Sequence, residues 1–235
     1  MYTHGGGWVG GSPRDYRALT GTLARLAGAS ILVVDYRLAP EHRFPSGLQD
    51  CVTAFRWAAR KGTDGERSSG RSGGPTMHLS LVGDSAGGNL AAATCLELAA
   101  RGERLPDRLV LIAGTLDNLP QADRVGIDDQ IVTAESLAAG TAAYVGSNIS
   151  SSDYRISPVY APRDLLAKFP PTLLQASAIE TLGHDSRKFA ARLEDAGVRI
   201  NLSIWPDLPH VWHAFLGLIP EATEALREIA DFVSR

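Results

Sequence analysis

The chain lacks several features that would place it in a specialised class of proteins. Two cysteines in 235 residues, Cys51 and Cys95, are too few for a disulfide framework. The formal net charge of -3 gives no reason to expect nucleic acid or an anionic membrane surface as a partner. No apolar run approaches the about 18 residues of a membrane-spanning helix. What remains is an ordinary globular composition, 44% hydrophobic and 21% charged, and a length that suits one α/β domain with a large core.

Only one stretch of the chain, residues 62–75, has low complexity. It is rich in glycine and serine and has no apolar anchor, which predicts a mobile surface loop. An apolar run follows it directly, so we expect a loop within a single domain, 1–235, and not a domain boundary. No secretory signal pattern is found at the start of the sequence, and we expect a cytoplasmic location.

Short apolar runs alternate with helical patterns along most of the chain. The runs predict strands at 31–34, 79–83, 109–113, 172–176 and 199–205. The helical patterns cover 15–28, 46–62, 85–101, 134–144, 185–196 and 221–233. Strands that alternate with helices predict a mostly parallel sheet with helices on both faces.

The most informative stretch is Gly-Asp-Ser-Ala-Gly at 83–87. It follows an apolar strand and opens an alanine-rich helix, which is the context of a G-x-S-x-G nucleophile elbow. The tight turn requires small flanking residues and would expose the hydroxyl of Ser85 at the tip of a strand. The backbone N–H of Ala86 would then point toward the oxygen of a reacting carbonyl.

A second motif, His-Gly-Gly-Gly-Trp, lies at 4–8. Such a run supplies the other half of an oxyanion hole, because glycines let the backbone approach the substrate and turn its N–H groups inward. We assign this role to Gly6 and Gly7. The strand that normally precedes the motif is reduced here to residues 1–3, so we expect an N-terminally truncated form of the fold. We also expect the strand at 31–34 to become a long, apolar sheet edge.

Six motifs in order resemble the bacterial esterase branch of the hormone-sensitive-lipase-like family, whose fold is the α/β-hydrolase fold. They are HGGGW at 4–8, DYRLAPEHRFP at 35–45, GDSAGGNLA at 83–91, ISPVYA at 156–161, FPPTLLQ at 169–175 and LPHVWHAF at 208–215. The sequence departs from the family in two places. The resemblance implies a helical cap and further strands before HGGGW, which the sequence from residue 1 does not include, and Gly114-Thr115-Leu116-Asp117 replaces a Ser-Pro-aromatic-x-Asp pattern.

Six histidines compete for the role of general base. In this fold the chain order is nucleophile, acid, histidine, which removes the three that precede Ser85. Of His184, His210 and His213, we favour His210, because it follows the last predicted strand in a proline-bounded loop. His213, three residues on, is the second candidate. The resemblance points to the histidine of Leu-Pro-His, which is also His210.

The acid that orients the base should follow the strand at 172–176. Glu180, Asp185 and Asp207 are the candidates. The resemblance aligns the family's acid with Glu180, while Asp185 fits the first turn of the next helix. Asp207 fits a turn.

These assignments predict a serine carboxylesterase that hydrolyses small esters with short to medium acyl chains through an acyl-enzyme. The catalytic residues would be Ser85, Glu180 and His210, and the oxyanion donors Gly6, Gly7 and Ala86. No metal and no organic cofactor are implied. The expected partner is a small ester, and assembly into a homo-oligomer stays open. An amidase or deacetylase with the same triad is one alternative. A binding protein on a hydrolase scaffold is another, although the retained His210 argues against it.

Overall fold

Six strands form one fully parallel sheet in the computed structural model, which describes residues 1–68, 78–120, 129–147 and 149–235, without the side chains of 61–68. The strands are β1 (Tyr2–Thr3), β2 (Val33–Val34), β3 (Ser80–Asp84), β4 (Arg108–Ile112), β5 (Thr172–Ser177) and β6 (Ile200–Trp205). Their order across the sheet is β2-β1-β3-β4-β5-β6. The short β1 is therefore an inner strand, paired on both sides.

Helices connect the strands. They are α1 (Arg17–Ala27), α2 (Ser46–Ser68), α3 (Ser85–Ala100), α4 (Ala134–Val145), α5 (Arg163–Leu166), α6 (Gly183–Asp195) and α7 (Pro220–Val233). Within the described ranges, none of these helices combines the length and apolarity needed to span a bilayer.

The pleat of the sheet divides the core into two layers. Along β3, Leu81 packs with α2 and α3, while its neighbour Val82 packs with α1 and α7. β4 shows the same alternation between Leu109 and Val110. Successive side chains of a strand point to opposite faces, so each strand feeds both layers. The prediction of a parallel sheet with helices on both faces is confirmed.

Two predicted boundaries were wrong. α2 continues to Ser68 instead of ending near Gly62, because a glycine inside a helix costs only about 1 kcal/mol and does not by itself stop it. The predicted loop 62–75 is therefore helical as far as Ser68, and its remainder lies outside the described residues. Of the predicted strand 31–34, only Val33 and Val34 form the strand β2, although the carbonyl of Leu32 also accepts the N–H of Tyr2 at 2.8 Å. β2 does lie at the sheet edge, but it is a short edge and not a long one.

α3 is buried on all sides, which explains its alanine-rich sequence. Its buried residues include Ala91, Ala92 and Ala93, all fully inaccessible. Small side chains let this helix lie close to the sheet, with the elbow at its N-terminus held against β1. The carboxyl ends of the parallel strands meet at one edge, and the candidate site lies there.

Candidate active site

Ser85 sits at the sharp junction between β3 and α3 in a left-handed backbone conformation, with φ of 50°. This backbone conformation is strained for a serine. Close packing of the neighbouring glycine against β1 holds the turn in this conformation. A Cβ on Gly83 would overlap Thr3 Oγ1 and the carbonyl oxygen of Gly87. The flanking glycines thus let the elbow press against β1.

His210 lies in the loop after β6 and is paired with Glu180 from the turn after β5. Their atoms Nδ1 and Oε2 are 2.6 Å apart, and both side chains are almost completely buried. The other carboxylate oxygen, Oε1, accepts the backbone N–H of Ser177 at 2.5 Å. Both oxygens of Glu180 are thereby engaged. A carboxylate on Nδ1 favours a proton on that nitrogen and leaves Nε2 to act as a base.

The competing candidates are engaged elsewhere. His213 is fully buried, and its Nε2 lies 2.8 Å from Gln175 Oε1. Burial, with a smaller effect from His210, lowers the pKa of His213 to about 3, so this imidazole is neutral at physiological pH. Asp185 Oδ2 accepts the backbone N–H groups of Leu116 and Asp117, each at 2.9 Å. Asp185 therefore anchors the loop after β4.

The third acid candidate, Asp207, occupies a left-handed turn position with φ of 51°. Glu180 contacts His210, and Asp185 lies in the first turn of α6.

The glycine loop after β1 has an unusual backbone. Gly6 has φ of 119° and Gly7 has φ of 60°, conformations that glycine adopts at little cost. The carbonyl of Gly6 accepts the N–H groups of Val9 and Gly10 at 3.1 and 3.0 Å, which closes the loop. Among the hydrogen bonds between described residues, none uses the N–H of Gly6 or Gly7. The N–H of Ala86 lies in the first turn of α3, where helical amides have no partner within the helix.

Trp8 fastens this loop to the rest of the protein. Its indole stacks on Tyr144 of α4 with ring centroids 4.7 Å apart and an interplanar angle of 3°. Its carbonyl accepts the N–H of Ala39 at 2.9 Å. Gly140 of α4 packs on the backbone of Gly7 so closely that a Cβ on it would lie 3.3 Å from the Gly7 carbonyl oxygen. α4 therefore braces the glycine loop from outside.

Asp84, next to Ser85, is a structural anchor of the same loop. Its Oδ1 accepts the N–H of Gly5 at 3.0 Å and the hydroxyl of Tyr2 at 2.9 Å, and its Oδ2 accepts the hydroxyl of Tyr16 at 2.8 Å. Burial raises the pKa of Asp84, and the hydrogen bonds from Tyr16 and Tyr2 oppose this. The sequence indicated an acceptor role for Asp84 but gave no signal for its tyrosine donors, because they are distant in sequence.

One cleft of about 310 Å³ brings these groups together. Ser85 and His210 line it with Gly6 and Gly7. Its remaining lining comes from Tyr16, Asp84, Ile131, Val132, Val211, Ala214 and Phe215. The arrangement combines a hydroxyl, an imidazole paired with a carboxylate, and a glycine backbone in one largely apolar site. Elsewhere in the described residues, as here, no group of three or more His, Cys, Asp or Glu side chains is arranged to hold a metal ion.

Comparison with known proteins agrees with this architecture. A family described as having the alpha/beta hydrolase fold matches residues 1–214. The carboxylesterase/phospholipase LipF of Mycobacterium tuberculosis strain H37Rv is 33% identical over 240 residues, which cover 99% of this chain and 61% of that protein. The chain therefore spans less than two thirds of the length of this relative.

Solved structures match the fold over nearly the whole chain. The crystal structure of EstE5 soaked with p-nitrophenyl butyrate has a TM-score of 0.87 and 32% identity, covering 100% of this chain and 75% of that one. A hormone-sensitive lipase from a metagenome library has a TM-score of 0.86 and 33% identity, covering 99% of this chain and 76% of that one. With its parallel sheet, its serine elbow and these relatives, the chain belongs to the α/β-hydrolase family, in the branch of the hormone-sensitive-lipase-like esterases.

Proposed function

We propose that the protein is a serine carboxylesterase that cleaves small esters through an acyl-enzyme. The observation that carries this proposal is the single cleft shared by Ser85, by His210 paired with Glu180, and by the glycine loop. Acyl transfer requires a nucleophile, a base, an orienting acid and oxyanion donors. We assign these roles to residues that line this cleft or, as Glu180 does, contact a lining residue. The names of the similar proteins, carboxylesterase and hormone-sensitive lipase, support the same reaction class.

In the first half of the reaction, His210 Nε2 would take the proton of the Ser85 hydroxyl as its Oγ attacks the ester carbonyl. Glu180 holds the imidazole through Nδ1 and would stabilise the imidazolium that forms. The backbone N–H groups of Gly6, Gly7 and Ala86 would bind the oxyanion of the tetrahedral intermediate, each donor contributing roughly 3 kcal/mol to its stabilisation.

Collapse of this intermediate would release the alcohol, which receives the proton from His210, and leave the acyl group on Ser85. In the second half, His210 would activate a water molecule for attack on the acyl-enzyme, and the carboxylic acid would leave. The cycle consumes one water and returns every residue to its starting state. It requires no metal or organic cofactor.

The size of the cleft favours short to medium acyl chains. Its volume of about 310 Å³ lies at the lower end of the range for ligand pockets, about 300–1,000 Å³. Two aliphatic side chains, Ile131 and Val132, form one wall, and Phe215 contributes to the lining. The related EstE5 was soaked with p-nitrophenyl butyrate, whose acyl group has four carbons, and an acyl group of this length suits a cleft of this kind.

The test is hydrolysis of p-nitrophenyl acetate, butyrate and octanoate by the purified chain, with Ser85→Ala as the matched control. We expect turnover by the wild type, a lower kcat/KM for octanoate than for butyrate, and no turnover above background by Ser85→Ala. Equal rates for the wild type and Ser85→Ala would overturn the proposed mechanism. The matching p-nitroanilide measures amidase activity, and a preference for the anilide would overturn the ester assignment.

A further inference from the structure

A buried carboxylate joins one wall of the cleft to the turn that carries Glu180. Asp129 Oδ1 accepts the backbone N–H groups of Ile131 and Val132 at 2.9 and 3.0 Å, and its Oδ2 accepts that of Thr181 at 2.9 Å. Thr181 completes the connection, because its hydroxyl donates to the Val132 carbonyl at 2.6 Å. We call these four hydrogen bonds the Asp129 clasp.

The clasp connects two parts of the site that the sheet does not connect. On one side, Ile131 and Val132 line the cleft beside Ser85. On the other side, Thr181 directly follows Glu180, whose carboxylate is bonded to His210. The segment of Asp129 comes from the β4–β5 connection, and that of Thr181 follows β5.

The Asp129 clasp is well protected from water, so the loss of its hydrogen bonds would not be compensated by solvent. Asp129 is 8% exposed and Thr181 only 1%. Hydrogen bonds to an ionised carboxylate are roughly twice as strong as those between neutral groups. Removing the carboxylate would leave the three amides without this acceptor, and a buried unsatisfied donor is costly. The wall and the turn would then relax away from each other.

We propose that Asp129 is a positioning residue that holds the cleft wall and the Glu180 turn in register, so that acyl-chain selectivity and the alignment of His210 depend on one side chain. This inference rests on the proposed esterase function. Asp129 acts through Val132 and Thr181 and is not itself a lining residue of the cleft.

Three substitutions remove different hydrogen bonds of the Asp129 clasp. Asp129→Ala removes every bond to the carboxylate. Asp129→Asn keeps one acceptor oxygen, which can serve the wall or Thr181 but not both. Thr181→Val is nearly isosteric, keeps the N–H bond to Asp129 and removes only the hydroxyl bond to Val132.

Matched controls come from the amino end of β3 and from α2. Asp107 also holds a backbone amide, that of Leu79 at 2.7 Å, but at the opposite end of β3 from Ser85. Asp107→Ala therefore removes a carboxylate–amide bond without touching the cleft. Thr53→Val removes a hydroxyl bonded within α2, to the carbonyl of Gln49.

Rates are measured per active site, with the active fraction titrated by a dialkyl p-nitrophenyl phosphate, which phosphorylates Ser85 and releases one p-nitrophenolate per active site. For Asp129→Ala we expect kcat to fall about tenfold to a hundredfold, the scale set by misplacing a catalytic group by about 1 Å. Asp129→Asn should lie between this variant and the wild type. Thr181→Val should change the ratio of kcat/KM for butyrate and octanoate at least twofold while kcat for acetate stays within about threefold. The two controls should match the wild type.

A second readout does not depend on substrate. His210 Nδ1 and Glu180 Oε2 are 2.6 Å apart. The proton between these two atoms should give a far-downfield NMR signal in the wild type. We expect this signal to shift or broaden in Asp129→Ala and Asp129→Asn, and to persist in Asp107→Ala. If a substitution merely destabilised the fold, it would lower the titrated fraction but leave the rate per site, the chain-length ratio and the NMR signal unchanged.

That merely structural outcome, seen in Asp129→Asn and Thr181→Val, would overturn the inference even if Asp129→Ala failed to fold. The failure of the proposed function looks different. A wild type that hydrolyses none of the esters would refute the esterase proposal, and the NMR signal would still decide whether Asp129 positions the His210–Glu180 pair.

Discussion

Gly87 of α3 lies so close to His4 that a Cβ on Gly87 would overlap the carbonyl oxygen of His4. The nucleophile elbow and the glycine loop are thus in direct backbone contact. The same hypothetical Cβ would also overlap the carbonyl oxygen of Thr3. Neither contact is with a flexible side chain that could move away. The distance between Ser85 and the proposed oxyanion donors is therefore set by backbone packing.

Gly87→Ala should force these two segments apart. We expect it to destabilise the fold by about 1–3 kcal/mol, the usual cost of overpacking, and to lower kcat more than tenfold because the oxyanion donors move. The matched control is Gly21→Ala in α1, where nothing lies within 4 Å of the added methyl. That substitution should stabilise the helix by up to about 1 kcal/mol. Thermal unfolding and ester hydrolysis measure both effects, and a fully active Gly87→Ala variant would contradict the packing argument.

Replacing His210 and His213 one at a time should distinguish the general base from a histidine that only stabilises the fold. His210→Ala should lower kcat by roughly a thousandfold or more, because the nucleophile and base act as one unit. His213→Ala should lose stability, since His213 is fully buried and pairs with Gln175, but it should keep most of its activity per titrated site. If the His213 variant is inactive per site while the His210 variant retains near-native activity, the base has been assigned to the wrong histidine.

Substitution of Glu180 tests its assignment as the orienting acid. Glu180→Gln should lower kcat roughly 10³- to 10⁴-fold, because the amide no longer stabilises the imidazolium and permits the wrong tautomer. Glu180→Asp keeps the charge but shortens the reach, so it should recover part of the loss. Asp185→Asn serves as the comparison, because Asp185 bonds to the loop after β4. A larger loss of kcat in Asp185→Asn than in Glu180→Gln would refute the assignment.

Stability should fall with acidification through His213. Burial lowers its pKa from the ordinary value of 6.5 to about 3, so between these pH values the unfolded chain binds a proton that the folded chain does not. The contribution of the neutral imidazole is complete above the unfolded pKa and is lost as the pH falls through this window, by up to about 1.4 kcal/mol per pH unit. Urea unfolding between pH 7 and pH 4 should show a shallower loss for His213→Gln than for the wild type. Parallel curves would contradict this prediction.

The sequence was most informative where local pattern and geometry coincide. The elbow around Ser85 could be read from five consecutive residues, because only small neighbours permit that turn. The pairing of Glu180 with His210 was also foreseen, but through the family resemblance, since spacing alone left Asp185 and Asp207 open. The parallel sheet followed from the alternation of apolar runs and helical patterns.

Other features were hidden because they depend on contacts between distant segments. Asp129 lies in a polar stretch with no motif, and its role emerges only when Thr181 packs against it. The tyrosine donors of Asp84 are equally remote, with Tyr2 separated from it by 82 positions. The end of α2 was predicted wrongly because a glycine such as Gly62 often ends a helix. A glycine inside a helix, however, destabilises it by only about 1 kcal/mol relative to alanine, so the helix can continue past it.

The inner position of β1 has a consequence for how the protein is made. β1 pairs with β2 on one side and with β3 on the other, and both partners follow it in the chain. During synthesis, β1 therefore cannot complete its pairing until Val82 of β3, 79 positions after Thr3, has left the ribosome. Until then the glycine loop cannot reach its final geometry. Closing so large a loop carries an entropic cost before any pairing offsets it, which makes such sheets slow to form. A nascent chain of this protein should thus bind chaperones through its exposed apolar strands and gain its glycine loop geometry only when β3 docks.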